Sequence, residues 1–532
     1  MELSVKSISD EKQEWEKAGI SLPDYDYEQV RKNTLERPVW LHFGPGNIFR
    51  GFIGSIADKL IASGDMDTGI VAMSNFDGEI IDKIYKPFDM LTLSVGLRSD
   101  GNSEKRVLAG IGNAIKADED SKEQLKKIAT SESLQLISFT ITEKGYAVKD
   151  MSGEFLPGTE KDIKNGPGLA ETAMGIVAEL LYYRFSENKC PVAVVSMDNC
   201  SQNGSKLKNA VLTMAKGWLE NGFVSEEFIS YVNDESKVTF PWSMIDKITP
   251  RPADEVAEEL EKLGVINMNP IVTKKNTYIA PFVNAEIPEY LVIEDSFPNG
   301  RPPLEKAGVY MTDRDTVNKA ETMKVTTCLN PLHTALAVCG CLLGFTKISD
   351  EMMDEDLKNL VYALGQEGLK VVVNPGIIKP EEFLNEVLTE RLPNPFMPDT
   401  PQRIATDTSQ KLVIRYGETI KSYMKEGKLS DLKIIPFVIA AWFRYLIGVD
   451  DEGREMELSP DPLMDVLAPL VKDIKLGQKV DDNSGINYIL SKEELFGVNL
   501  LEAESMSQKI IGYLNEMLEG PGAVRTTLKK VI

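Results

Sequence analysis

Short apolar runs alternate with helix-like segments through the first three hundred residues. The segment IFRGFIGSIADKLIA spaces its large apolar side chains as one face of a helix does. Helix-like patterns also occur around 120–130 and 168–187. Strands that alternate with helices predict a largely parallel sheet. The apolar runs that predict strands are VWLHF (39–43), TGIVAMSNF (68–76), LQLISFTIT (134–142) and PVAVVSM (191–197).

The pattern changes after FPNGRPPLEKAG (297–308), where proline and glycine mark a connection. We therefore predict a polar helical extension over 1–36, a Rossmann-like α/β dinucleotide-binding domain over 37–308 and an all-α domain over 309–532. Beyond the connection almost every segment has helical spacing: 351–367, 380–390, 408–425, 431–448, 462–475, 491–496 and 503–518.

Composition narrows the class of protein. The chain has 532 residues, which favours two or more domains, and no apolar run of about 20 residues predicts a membrane span. The charged N-terminus lacks the apolar core of a secretory signal, so we expect a cytoplasmic protein. A net charge of −23 argues against nucleic acid as a partner.

The five cysteines do not suggest a disulfide framework, because their number is odd and their spacing wide. A zinc site built from Cys328, His333, Cys339 and Cys341 is one alternative. Small buried core residues are the other, and we expect no metal.

A glycine turn joins the first predicted strand to the first helix. Gly44 would form the tight turn, and Gly46 would let a pyrophosphate approach the start of the helix. The third glycine of the dinucleotide fingerprint is replaced by Phe49, so the motif is incomplete and a plain turn remains an alternative. Asp77 ends the second strand, where a carboxylate binds ribose hydroxyls and favours NAD over NADP; it could instead cap the following helix.

The segment ETMKVTTCLNPLH (321–333) contains several polar residues and precedes a predicted helix of small and apolar residues. Asn330 precedes a proline and is predicted to cap that helix, which places His333 in its first turn, where the dipole favours the neutral imidazole. Glu321 and Lys324 lie three residues apart on the preceding helix. These groups suit a metal-free alcohol dehydrogenase, which needs a base and donors for the developing alkoxide. A capping Asn, a surface ion pair and a core His form the structural alternative.

Several segments together resemble the long-chain polyol (mannitol) dehydrogenase family over nearly the whole chain after residue 37. The resemblance implies an NAD-binding α/β domain, a helical C-terminal domain and metal-free oxidation of polyols or sugar acids. The similar segments are HFGPGNIFRGF, SNFD, FTITEKGY, SMDNCSQNG, FPWSMIDKITP, IEDSFPNGRPP, ETMK…LNPLH and RIATDTSQK.

The resemblance also implies roles for individual residues. Lys324 would be the general base, Asn330 and Asn199 would bind the reacting oxygen, His333 would contact a substrate oxygen and Glu321 would connect the lysine to solvent. Substrate-binding residues would be Asp246, Arg403 and Lys411. Cofactor-binding residues would be Gly44, Gly46, Asn47, Ile48 and Asp77.

One departure from the family pattern concerns the base. The lysine of the family stands five residues before the asparagine, whereas Lys324 stands six before Asn330. We therefore place one extra residue in VTTCL and expect the geometry of this pair to differ.

The sequence of the segment LNPLHTALAVCGCLLG is most similar to that of the fructuronate reductases of the family. The resemblance thus implies NAD-dependent interconversion of D-fructuronate and D-mannonate. The alternatives are a tagaturonate reductase, a mannitol or other polyol 2-dehydrogenase and, in a different class, a non-catalytic NAD-binding sensor. We expect a small-molecule substrate and no membrane partner, and the sequence leaves monomer and dimer open.

Overall fold

The computed structural model describes residues 1–150, 152–168, 170–481 and 483–532. The chain divides into two compact units. The first unit comprises Met1–Leu97 and Asn102–Asn318, and the second comprises Arg98–Gly101 and Lys319–Ile532. Each unit is described by itself below.

A six-stranded sheet forms the centre of the first unit, and every pairing in it is parallel. This confirms the parallel sheet that the apolar runs predict. Its strand order is β6-β3-β2-β7-β8-β9, so β2 and β7 lie at its centre. The strands of the chain are β1 Ile20–Ser21, β2 Trp40–Phe43, β3 Ile70–Ser74, β4 Thr92–Leu97, β5 Ser103–Leu108, β6 Ile111–Lys116, β7 Leu136–Phe139, β8 Val192–Ser196, β9 Val238–Thr239, β10 Ser243–Asp246, β11 Ile271–Val272, β12 Tyr278–Ile279, β13 Phe282–Glu286, β14 Tyr290–Glu294 and β15 Tyr310–Thr312.

The remaining strands form three smaller sheets that the apolar runs do not predict. One has the order β1-β5-β4-β13, a second β10-β14-β15 and a third pairs β11 with β12. Strand β1 interrupts the N-terminal segment that we predict as helical. The first-unit helices are α1 Val5–Asp10, α2 Lys12–Lys17, α3 Tyr27–Glu36, α4 Gly54–Ala62, α5 Lys122–Thr130, α6 Pro157–Asn165, α7 Ala173–Glu187, α8 Asn203–Glu220, α9 Glu226–Asn233 and α10 Asp254–Lys262.

The described residues of the second unit are helical and contain no strand, in agreement with the all-α prediction. The boundary between the units falls within α11, Arg314–Met323. The later helices are α12 Asn330–Leu342, α13 Ile348–Glu351, α14 Glu355–Leu369, α15 Pro380–Glu386, α16 Pro401–Ala405, α17 Thr408–Leu412, α18 Glu418–Lys425, α19 Ile434–Leu446, α20 Met464–Val471, α21 Ser484–Leu490, α22 Glu493–Phe496, α23 Glu504–Met517 and α24 Ala523–Val531.

Helix α12 lies in the core of the second unit. It packs against α14, α16 and α19, and its residues from Thr334 to Leu342 are buried. Helix α19 is buried along its whole length. Large apolar side chains on α19 and small ones on α12 let these helices approach closely.

Within the part of the chain that the structure describes, five π-helical turns interrupt the helices. In such a turn the N–H of residue i+5, rather than i+4, donates to the carbonyl of residue i, so the turn holds one additional residue. The turns are Phe49–Ile53, Ile81–Tyr85, Lys324–Cys328, Val387–Arg391 and Val413–Gly417. Four short 3₁₀ turns complete the helical elements, at Glu119–Ser121, Glu143–Tyr146, Leu304–Ala307 and Leu429–Asp431.

One continuous helical stretch, Arg314–Leu342, is long and apolar enough to cross a membrane by length and composition alone. In its most apolar window 78% is buried inside the protein, as in the core helix of a globular domain. The stretch is therefore weak evidence for a membrane span.

Candidate active site

The glycine turn lies between β2 and a helix that begins at Asn47. Gly44 has a φ of +93°, and a Cβ there would overlap the carbonyl oxygen of Thr140, so only glycine fits. A Cβ at Gly46 would meet open space, which leaves its backbone accessible to a ligand. Arg50 N–H donates to the Gly46 carbonyl at 3.0 Å and starts the helix.

The start of this helix fits the pyrophosphate of a dinucleotide. Its first N–H groups have no partner within the helix, and the positive end of the helix dipole lies here. The side-chain oxygen of Asn47 is buried without a hydrogen-bond partner among the described residues. This oxygen needs a hydrogen-bond donor, which a hydroxyl of a dinucleotide can supply and its pyrophosphate cannot. Ile48 is half-buried beside it.

A directed chain of hydrogen bonds lies beneath the turn. The Trp40 indole N–H donates to Ser138 Oγ at 2.7 Å, and Ser138 Oγ lies 2.6 Å from His42 Nδ1. Thr140 Oγ1 donates to the carbonyl of Gly44 at 3.0 Å and accepts from His42 Nε2 at 2.9 Å. The Thr140 hydroxyl uses its one proton on the Gly44 carbonyl, so His42 Nε2 carries a proton and the neutral ring's Nδ1 accepts from the Ser138 hydroxyl.

His42 is a neutral structural link. Its ring stacks on Phe49 with centroids 4.1 Å apart, and complete burial holds its pKa well below the ordinary value. Strand β2 thus positions Gly44 through the neutral imidazole of His42. In the sequence, His42 is only one residue of the apolar run VWLHF, and nothing there indicates this role.

Asp77 follows β3 at the carboxyl edge of the large sheet. It is buried; one carboxylate oxygen accepts from the Thr273 hydroxyl at 2.6 Å and the other from the Glu79 N–H at 3.2 Å. The bond to Glu79 corresponds to the capping alternative. The ribose-binding role of Asp77 stays a prediction.

Asn199 and Asp246 also lie at strand ends in the first unit. Asn199 is exposed and follows β8, whereas Asp246 is buried and is the last residue of β10. The carboxyl ends of parallel strands are where ligands bind in open α/β sheets, which suits Asn199. Asp246 belongs to a different, three-stranded sheet.

Asp198, next to Asn199, has a role that the sequence does not reveal. Its carboxylate accepts from the N–H groups of Ile141 and Thr142, both at 2.9 Å, and from the Tyr146 hydroxyl at 2.6 Å. Thr142 has a φ of +66°, which costs energy for a non-glycine residue. Burial raises the pKa of Asp198, and these donors oppose that shift. The carboxylate therefore holds the loop after β7 next to Asn199.

Lys324 begins the π-helical turn Lys324–Cys328 in the second unit. Its side chain is 2% exposed. The Leu329 N–H donates to the Lys324 carbonyl at 3.1 Å, an i+5 bond. A π turn holds one residue more than an α-helical turn, so the helix continues from Lys324 toward Asn330 without a loop.

The capping role predicted for Asn330 is wrong. Helix α12 begins at Asn330 itself, and Leu329 occupies the cap position with φ −131° and ψ −63°. The π turn carries helical hydrogen bonding up to Leu329, so no side-chain cap is needed before Pro331. Asn330 is half-buried in the first turn, and its amide is not used as a cap. Glu321 lies one turn before Lys324 on α11 and is also half-buried.

His333 lies in the first turn of α12 and is half-buried. Its Nε2 is 4.0 Å from an Asp399 carboxylate oxygen. Burial, together with the charges of Arg415, Arg391 and Arg403, lowers the pKa of His333 to about 4 against the opposing effect of Asp399. The imidazole is therefore neutral near pH 7, as its place at a helix start predicts.

The two predicted substrate-binding cations lie on α16 and α17. Arg403 is exposed and forms an ion pair with Asp399. Lys411 Nζ donates to the carbonyls of Ile404, at 3.0 Å, and Thr406. Burial lowers the pKa of Lys411 to about 8. Both cations already have protein partners.

The second unit thus contains Glu321, Lys324, Asn330 and His333 along one helical stretch, with the Asp399 to Lys411 segment near His333. Within the described residues, no group of three His, Cys, Asp or Glu side chains could hold a metal ion.

Comparison with known proteins decides the family. Residues 39–306 match the model of the mannitol dehydrogenase Rossmann domain, and residues 316–518 match the model of the mannitol dehydrogenase C-terminal domain. The chain belongs to the mannitol dehydrogenase family. This confirms the predicted resemblance and the predicted fold class.

Relatives of this family cover the whole chain. A protein named D-mannonate oxidoreductase from Thermotoga maritima is 53% identical and covers 100% of this chain and 99% of its own length. A solved D-sorbitol dehydrogenase, in substrate-free form, has a TM-score of 0.81 at 26% identity and covers 96% of this chain and 98% of its own. A Pseudomonas fluorescens mannitol 2-dehydrogenase, solved with NAD and D-mannitol, has a TM-score of 0.71 at 25% identity and covers 100% and 99% of the two chains.

The sequence did not indicate that two arginines lie near His333. Arg391 is buried at 4% exposure, and Arg415 donates to the hydroxyl of Thr334, the residue after His333. Their charges act on His333. In the sequence both lie in amphipathic helical segments, where an arginine is typical of a solvated face, so no local signal distinguishes them.

Proposed function

We propose that the chain is an NAD-dependent, metal-independent oxidoreductase that interconverts D-fructuronate and D-mannonate. The observation that carries the proposal is the 53% identity, over the full length of both chains, to a protein named D-mannonate oxidoreductase. We also propose a cytoplasmic enzyme that binds a sugar acid and acts as a monomer or dimer.

In the oxidation, Lys324 takes the proton of a secondary hydroxyl as general base. Burial favours the neutral form of an amine, and the side chain of Lys324 is almost fully buried. Asn330, with Asn199, donates to the oxygen that becomes the carbonyl, and Glu321 connects the lysine to solvent. In the reduction the ammonium of Lys324 returns the proton to the same oxygen.

His333 and Asp246 orient the hydroxyls beside the reacting carbon. A neutral His333 can donate from one ring nitrogen and accept at the other, which suits a hydroxyl group. Arg403 and Lys411 belong to the substrate-binding set as well.

When bound, the nicotinamide cofactor would supply the hydride chemistry, as the acceptor in the oxidation and the donor in the reduction. Gly44, Gly46, Asn47 and Ile48 would hold the pyrophosphate at the helix start. Asp77 would bind the ribose hydroxyls and disfavour, by charge repulsion, the 2′-phosphate of NADP.

The test is NADH oxidation measured with D-fructuronate, D-tagaturonate and D-fructose side by side, with and without a metal chelator. We expect turnover to be fastest with D-fructuronate, to yield D-mannonate and to survive chelation. Turnover of D-fructose alone would contradict the uronate assignment and favour a polyol dehydrogenase. NADH binding without turnover of any substrate would favour the sensor.

A further inference from the structure

Arg415 occupies a π-helical turn next to the proposed catalytic segment. This turn, Val413–Gly417, packs against the π turn that begins with Lys324 and against α12. The adjacent Tyr416 hydroxyl donates to the Pro331 carbonyl at 2.8 Å, which fixes the turn to the residue after Asn330.

The guanidinium of Arg415 reaches the first turns of α12. One of its terminal nitrogens, Nη1, donates to the Thr334 hydroxyl, next to His333. The charge of Arg415 lowers the pKa of both His333 and Lys411, so the group lies close to both side chains. Burial lowers the pKa of Arg415 itself to about 10, and it remains a cation near pH 7.

Arg415 is half-buried and lacks a counter-ion among the described residues. Among the described residues no carboxylate forms an ion pair with Arg415, and its hydrogen bond to Thr334 uses one donor of five. The contrast is Arg403, which is exposed and already paired with Asp399. A desolvated charge without a partner is costly, and binding sites keep such a group when the ligand supplies the opposite charge.

We propose that Arg415 binds the carboxylate of a sugar-acid substrate and is the residue that selects sugar acids over polyols. The inference rests on the proposed function and assigns the carboxylate to Arg415 rather than to Arg403. The guanidinium presents a planar fork of N–H donors that matches a carboxylate through two parallel hydrogen bonds. Thr334 holds one nitrogen and so orients the fork. A polyol supplies no charge to offset this cation.

The test compares Arg415→Met with the wild type in NADH-dependent reduction of D-fructuronate and D-fructose. We expect kcat/KM for D-fructuronate to fall about 100-fold, mainly through KM, because one partner of a desolvated charge pair is removed. The slower reduction of D-fructose should change by less than about 3-fold, since this ketose has no carboxylate. Arg454→Met is the matched control: Arg454 is an exposed arginine of the same unit, paired with Asp450, and this variant should behave as the wild type.

The outcomes separate the inference from the proposed function. If the wild type reduces no uronate, the proposed function fails. If the wild type reduces D-fructuronate and Arg415→Met keeps its kcat/KM, or loses both substrates alike, Arg415 does not bind the carboxylate. Should Arg415→Met fail to fold, Arg415→Lys retains the charge without the fork. Its KM for D-fructuronate should then rise about 10-fold with kcat preserved, and an unchanged KM would overturn the inference.

Discussion

At the scale of single residues, the polar side chains under the glycine turn form one directed hydrogen-bond chain from Trp40 to Gly44. The direction follows from the Gly44 carbonyl, which can only accept and so takes the single proton of the Thr140 hydroxyl. His42 therefore has one permitted tautomer.

This tautomer is directly measurable because the chain has only two histidines. In ¹⁵N-histidine NMR spectra, the His42 signals should show a protonated Nε2 and an unprotonated Nδ1, unchanged from pH 8 to pH 5, since burial lowers the pKa of His42. The variant His333→Gln assigns the signals. A protonated Nδ1, or titration near the ordinary pKa of about 6.5, would refute the chain.

Candidate residues that stand close together in the sequence can be recognised as a group, whereas contacts between residues far apart in the sequence cannot. Lys324, Asn330 and His333 stand within ten residues, and their spacing carries a signal. Asp198 acts on a loop more than fifty residues away, and Arg415 reaches Thr334 across eighty-one positions. An aspartate after a strand, such as Asp198, and an arginine on a helix, such as Arg415, are common in sequences. Neither carries a local pattern that indicates its distant partner.

At the scale of secondary-structure elements, some buried strands were predictable because they lie in long, largely apolar runs. Strands β2, β3, β7 and β8 are buried at every residue. Strand β5, SEKRVL, is partly exposed and largely polar, and it pairs with β4 and β1 outside the large sheet. Strand β5 therefore forms because it pairs with neighbouring strands, and its amino-acid composition alone does not predict it.

The π turn at Lys324 shows the same limit within a helix. The one-residue departure from the family spacing is visible in the sequence, but the π turn is not. The turn forms by i+5 bonding, so Lys324 stays on a continuous helical stretch.

Helix α13 carries a buried carboxylic acid that makes the stability of the second unit depend on pH. Glu351 is 0% exposed, and neither of its carboxyl oxygens has a partner among the described residues. It lies against Gly340 of α12, where a Cβ would overlap its carboxyl group. Burial raises the pKa of Glu351 to about 9 from 4.5.

The raised pKa implies a loss of stability as pH increases. Below pH 4.5 both states are protonated; between pH 4.5 and about 9 only the unfolded chain ionises at Glu351. The free energy of unfolding should therefore fall by up to about 1.4 kcal/mol per pH unit from this group. In urea denaturation at pH 6 and pH 8, Glu351→Gln should lose less stability than the wild type. The control Glu355→Gln alters an exposed residue and should follow the wild type; parallel profiles for Glu351→Gln would contradict a neutral Glu351.

At the scale of the whole molecule, the two units carry different predicted tasks. The glycine turn and Asp77 belong to the first unit, and Lys324 with its neighbours to the second. The change from alternating strands to continuous helices made this division predictable, since each architecture has its own hydrophobic period. The three smaller sheets of the first unit were not, because their strands are short or contain polar residues, as in SMID and FVNAE, and give little signal.

The most direct test of the account is the variant Lys324→Ala, measured for both NADH binding and turnover of D-fructuronate. Removal of a general base typically costs about 100- to 10,000-fold, so kcat should fall by that range while the Kd for NADH stays within about 2-fold, because the glycine turn is unchanged. A variant that keeps near-normal turnover would show that Lys324 is not the base and would contradict the proposed chemistry.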